Sequence, residues 1–182
     1  MSGELKVGGS SLISDSGGTG ALTWESGVPT GSIIKKTFYS IVRVTMAATA
    51  FPNDDTIPQR TEGAEIFSQA YTPSTTSCTI LITTYIRLSE ASNVDNAMQM
   101  GLFISDDLDC LVVGEILSPS GDVHSGNITL MHSMSGWSGA KTFSLRTSGA
   151  GTYNYSNEDS GYAAVKFGAS FKSAFIVEEI AT

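Results

Sequence analysis

Thr79-Ile80-Leu81-Ile82-Thr83-Thr84-Tyr85-Ile86-Arg87-Leu88 is the stretch that decides the fold. In an extended chain Ile80, Ile82, Ile86 and Leu88 fall on one side, and Thr79, Thr83 and Arg87 on the other. A helix turns once in about 3.6 residues and would scatter the isoleucines around its girth, whereas a period of two marks a strand with one face buried. The β-branched residues that dominate the stretch are stiff at χ1 and suit a pleated surface.

Working outward, the same alternation recurs. Residues 97–105 set Met98, Met100, Leu102 and Ile104 on one side. Residues 127–134 do so with Ile128 and Leu130, and 142–147 set Phe143 and Leu145 opposite Thr142, Ser144 and Arg146. Further β-rich runs occupy 32–49, 64–71, 110–113, 162–167 and 174–180. Turn residues separate them, as in Phe51-Pro52-Asn53-Asp54-Asp55, Thr72-Pro73-Ser74 and Asp106-Asp107-Leu108-Asp109. No segment carries an i, i+3, i+4, i+7 stripe, and 88–98 has room for one helical turn at most. About eight to ten short antiparallel strands, with no helices to cover a sheet's second face, must pack sheet on sheet. The expected fold is all-β, an antiparallel β-sandwich of jelly-roll type over residues 31–182.

Composition agrees. The chain holds 26 Ser, 19 Thr and 19 Gly, and only 15% of its residues are charged. Its net charge of −8 is spread without an acidic tail, and ten basic residues form no stripe able to neutralise phosphates, so a nucleic-acid partner is not expected. No stretch approaches the roughly 20 apolar residues that span a bilayer, so no membrane partner is expected either. The start, Met1-Ser2-Gly3-Glu4-Leu5-Lys6, lacks the basic-then-apolar pattern of a secretory signal. Cys78 and Cys110 read as two partly buried free thiols, in keeping with assembly in a reducing cytoplasm.

Residues 1–30 differ from the rest. Gly8-Gly9-Ser10-Ser11 and Gly17-Gly18-Thr19-Gly20 interrupt short apolar pieces, and such a segment cannot bury enough surface to fold alone. It reads as a Gly-rich extended arm that either stays loose or orders on a partner, with Trp24 as its one large anchor. Pro29-Thr30-Gly31 marks the start of the folded part.

Catalytic chemistry finds little footing. There are two histidines: His124 in a glycine-flanked turn, and His132 continuing the Ile128/Leu130 face as a core or interface residue. No G-x-S-x-G elbow is present, and no His/Cys spacing suits zinc. Asp106, Asp107 and Asp109 lack the glycine and distal Glu of a calcium loop and read as a solvated turn. Trp137-Ser138-Gly139-Ala140-Lys141-Thr142 has Ala where a phosphate loop needs Gly before its lysine. Carboxylates that a glycosidase could use include Glu62, Glu65, Glu158, Asp159, Glu178 and Glu179. Nothing pairs any two of them, and adjacent Glu178 and Glu179 point to opposite faces of a strand. No catalytic residue, metal ligand or cofactor is therefore assigned. More informative are aromatics in polar turns: Trp137 between Gly136 and Gly139, and Tyr153 and Tyr155 within 149–157. Such rings can bind a sugar or a protein patch, or they can cap the end of the sandwich.

Four segments carry a resemblance. Residues 72–82, TPSTTSCTILI, look like the lead into a strand of bacteriophage fibre-type β domains. Gly31-Ser32-Ile33-Ile34 resembles the lead into their first strand, residues 101–107 (GLFISDD) a hairpin, and 175–181 (FIVEEIA) their closing strand. In order, these cover most of 31–182. The chain departs at Cys78-Thr79, where Ser-Lys is usual, and in a longer 114–160 region. The resemblance implies a virion surface protein, a tail fibre or a capsid decoration protein, assembling as a homotrimer of jelly rolls. Its arm would contact other virion proteins, and its loops a host surface glycan or protein. A carbohydrate-binding module without virion context is the second expectation, and an enzyme acting on surface glycans the third.

Overall fold

In chain order the strands are β1 (Glu4–Val7), β2 (Ser10–Ser14), β3 (Thr23–Trp24), β4 (Ile33–Ile41), β5 (Val44–Met46), β6 (Ala64–Tyr71), β7 (Cys78–Glu90), β8 (Asn96–Ile104), β9 (Val112–Ser118), β10 (Ser125–Ser135), β11 (Lys141–Ser148), β12 (Tyr153–Tyr155) and β13 (Ser173–Ala181). They come from a computed structural model that describes residues 4–7, 10–14, 23–24, 28–41, 44–46, 51–52, 54–90, 96–118, 125–148, 153–155 and 173–182. Among the described residues there is no helix, and so none long and apolar enough to cross a membrane.

The chain is an antiparallel β-sandwich. One sheet runs β4-β13-β7-β10, and the last residues of β7 also carry β12, which in turn pairs with β5. The other runs β6-β11-β8-β9. The chain crosses between the sheets from β6 to β7, β7 to β8, β9 to β10 and β10 to β11, and then returns to lay β13 between β4 and β7. Every pairing is antiparallel.

The alternation that identifies β7 builds the core. Ile80, Ile82 and Ile86 are fully buried between the sheets, with Met98, Met100 and Leu102 from β8, Phe143 and Leu145 from β11, and Phe175 and Val177 from β13. Rings link the layers: Phe67 stacks near Phe175 at 5.0 Å between centroids, and Phe143 lies 5.8 Å from Phe175. Aromatic pairs at such spacings add to the free energy of burying their area.

The two outer faces differ. On the β6-β11-β8-β9 sheet, Phe103 is buried by Phe51, centroids 6.2 Å apart. The chain beside it is tied down where Phe51 N–H donates to Ser148 Oγ (2.6 Å) and Arg146 donates to the carbonyls of Glu62 (2.7 Å) and Gly63 (3.0 Å). Outer residues of the β4-β13-β7-β10 sheet, such as Phe38, Tyr85 and Met131, stand exposed.

Several expectations need adjustment. The run 32–49 is divided into β4 and β5, and β5 leaves β4 to pair with β12. Residues 88–90 and 96–98 extend strands where a helical turn had room. The expected strand at 110–113 begins two residues later and runs on to Ser118, because Cys110 N–H and Leu111 N–H are taken by the carbonyls of Pro58 and Leu102 outside the ladder. Tyr153 and Tyr155, read as turn residues, are strand residues: β12 finds backbone partners on both sides, in β7 and β5. The N-terminal segment is not merely extended. Its described residues pair as a sheet β1-β2-β3, which satisfies backbone groups that an isolated extended chain leaves to water. The 162–167 run, His124, Glu158 and Asp159 lie outside the described residues.

Candidate functional site

The most constrained polar cluster lies at the end of the sandwich where β13 closes the chain. On β13 the inner row is Phe175, Val177, Glu179, Ala181, so alternation drives a carboxylate into an otherwise apolar series. Glu179 is 0% exposed. Tyr71, the last residue of β6, donates its hydroxyl to Glu179 Oε1 at 2.5 Å. Ser74 donates its backbone N–H to both carboxylate oxygens (3.1 and 3.0 Å) and its hydroxyl to Oε2. Lys35 of β4 brings its ammonium to 3.5 Å and lies 4.9 Å above the Tyr71 ring. Burial works to raise the Glu179 pKa, but the hydrogen bonds from Ser74 and Tyr71 outweigh it, and the net shift is downward. Burial, and then the neighbouring carboxylate, push the Tyr71 phenol upward. The carboxylate is thus held ionised and its lone pairs are engaged by protein donors, so the cluster acts as a clamp between β4, the 72–77 turn and β13.

Glu178, one residue earlier, faces outward and pairs with Lys36 at 2.8 Å. The opposed orientation expected for the two glutamates is the one observed. Glu65 lies 3.5 Å from Arg146, and Glu62 accepts the Gln59 N–H (2.7 Å). Among the described residues no group of three or more His, Cys, Asp or Glu could hold a metal ion.

Trp137 sits beside this clamp, in the turn from β10 to β11. Its ring meets Phe143 edge-on at 5.7 Å and Tyr71 at 6.5 Å, and it is half-buried against the core. Lys141 Nζ lies 5.4 Å from the ring centroid while bound to Asp106 at 2.8 Å. The indole N–H is buried without a hydrogen-bond partner. Gly136 is required just before it: a Cβ there would lie 2.9 Å from both Cys78 Sγ and the Thr76 carbonyl. Of the other sequence candidates, Tyr153 and Tyr155 are placed by backbone pairing with β5 and β7, and Trp24 by pairing with Ile13 of β2. Cys78 and Cys110 are free thiols. Burial raises the pKa of both, that of Cys110 to about 11.

No protein-family model matches the chain, and no curated protein matches it. Solved structures do overlap it. Three of them are from viruses. The T13 IBDV viral particle gives a TM-score of 0.36 at 9% identity over 83% of this chain and 37% of that one. The infectious bursal disease virus VP2 subviral particle gives 0.31 at 11% identity, over 83% and 39%. Infectious bursal disease virus Gx strain gives 0.30 at 9% identity, over 83% and 38%. The chain thus spans less than two-fifths of the length of these proteins. Overlaps this loose fix neither family nor function.

Sequence reasoning placed Glu179 among six unpaired carboxylates and did not single it out. The available signal was a charged residue in phase with Phe175 and Val177. Tyr71 and Ser74 gave no such signal, because their roles arise only where strands distant in sequence meet.

Proposed function

We propose that this chain is a non-enzymatic virion structural protein, a fibre or capsid decoration protein on a phage surface, built on a jelly roll and assembled as a homotrimer. The observation that carries the reading is the Ser74–Glu179 contact. It joins TPSTTSCTILI to FIVEEIA, so two of the segments that resemble phage fibre-type domains form one structural unit rather than two separate likenesses. The strand order supports it as well. Sheets β4-β13-β7-β10 and β6-β11-β8-β9, with the chain crossing repeatedly between them, follow the double Greek key of a jelly roll.

In this reading the buried carboxylate serves structure and not turnover, since its oxygens are occupied and it lies out of reach of a substrate. Residues 1–30, with Trp24, form the contact with other virion proteins. Host recognition, of a glycan or a protein, falls to the region of Trp137, Tyr153 and Tyr155. The site of action is the virion.

The test has two parts. Light scattering of the full chain should give a mass that is a multiple of three chains. Deleting residues 1–30 should leave the sandwich folded while abolishing incorporation into virions. A clean monomer, or undiminished incorporation of the truncated chain, would overturn the proposal.

A further inference from the structure

A sheet in a two-layer sandwich buries one face and must do something with the other. On the β4-β13-β7-β10 sheet the strand register aligns one row straight across all four strands: Phe38 opposite Ile176, Ile176 opposite Thr83, and Thr83 opposite Met131. Both ends of this row are in water, Phe38 at 64% exposure and Met131 at 62%. In the adjoining row Tyr85 is 52% exposed. Large apolar side chains gathered on one face are the mark of an interaction surface, whereas scattered ones need no explanation.

Charge narrows the partner. Among the described positions that alternate onto this face, the charged ones are Lys36, Glu178 and Arg87, and Lys36 and Glu178 neutralise each other at 2.8 Å. Among the described residues this face gathers no excess of either charge, on a chain of net charge −8. A second copy can approach through it without the repulsion that net charge imposes elsewhere. Among the described residues a strongly basic or acidic partner finds no cluster of countercharge there.

The area suffices. Four strands about 4.8 Å apart and about eight residues long at roughly 3.3 Å each make a footprint of about 500 Å² per copy. The pair would bury about 1,000 Å², the size at which specific interfaces begin.

We propose that the outer face of this sheet is a self-association surface that docks against the same face of a second copy. A twofold axis parallel to the strands lays β4 over the β10 of the other copy. Phe38 then meets Met131 of the partner subunit, a thioether-on-ring contact that is favourable on its own account. The two sheets would stack about 10 Å apart at the aligned angle usual for sandwiches. The inference is independent of the virion reading: it pairs monomers into dimers, or trimers into particles of six.

The experiment is sedimentation velocity with light scattering on the full chain and on a Phe38→Glu/Met131→Glu double variant. The variant should show a twofold fall in mass with an unchanged β-type circular dichroism spectrum. Should that variant misfold, Thr129→Glu/Ser133→Glu places charge at two exposed positions on the same face without removing an apolar anchor, and it should halve the mass too. An unsubstituted chain that is monomeric up to its solubility limit would overturn the proposal. So would a folded variant of unchanged mass, and if that mass were threefold the trimer would stand without this face.

Discussion

Glu179 shows how one residue's position sets its chemistry. A carboxylate on the inner row of a strand is tolerable only if its charge is answered, and Ser74, Tyr71 and Lys35 answer it. Removing the hydroxyl in Tyr71→Phe withdraws one hydrogen bond to a charged group, and should cost about 1.5–3 kcal/mol in urea unfolding. The pH dependence follows from the direction of the shift. Glu179 has a lower pKa folded than unfolded, so the unfolded chain binds more protons across that range. Its contribution is present in full above the ordinary value of 4.5 and is lost as pH falls through the folded value. Glu179→Gln should be less stable at neutral pH and lose less stability on acidification than the unsubstituted chain. Parallel acid titrations would contradict this.

At the scale of elements, the strands were legible because alternation dictates them, and their off-phase residues carried the information about surfaces. In 79–88, Leu81 and Tyr85 share the face assigned to Thr79, Thr83 and Arg87, and on that outer face Tyr85 stands exposed while Thr83 is buried. Tyr153 and Tyr155 look like turn residues because they sit in a short Gly-, Ser- and Asn-rich run, and only the ladders that β5 and β7 offer on either side make them a strand. The β10–β11 turn can be tested by its glycines. Gly136→Ala forces a methyl group against the Thr76 and Thr75 carbonyls, which cannot swing away, and should cost about 1–3 kcal/mol. Gly139 has φ of 78° with open space around its Cβ position, so Gly139→Asn should stay within about 1 kcal/mol of neutral, since Asn visits that conformation readily. Thermal denaturation of both variants decides it.

For the whole molecule, the closing strand is central. β13, at the C-terminal end, lies between β4 and β7, so Ile41 pairs with Ser173 and Thr84 with Phe175. Without β13, β4 has no neighbour in this sheet among the described strands, and the inner row of β7 lacks Phe175 and Val177 beside it. Truncation after residue 172 should therefore leave no cooperative unfolding transition by circular dichroism, whereas loss of an edge strand would only lower its midpoint.

The sequence by itself determined the all-β class, the inner rows of β7, β8, β10 and β11 and the opposed directions of Glu178 and Glu179, because a period of two is a local property that the chain carries wherever it goes. Tertiary structure decided which strands are neighbours, that Ser74 and Tyr71 converge on Glu179, that Trp137 lies edge-on to Phe143, and that Phe38, Tyr85 and Met131 stand exposed on one of the two sheets. Those depend on contacts between residues far apart in the chain, 108 positions for Tyr71 and Glu179 and more for β4 and β13, and no local pattern encodes which distant segment will answer a buried charge or cover an exposed ring.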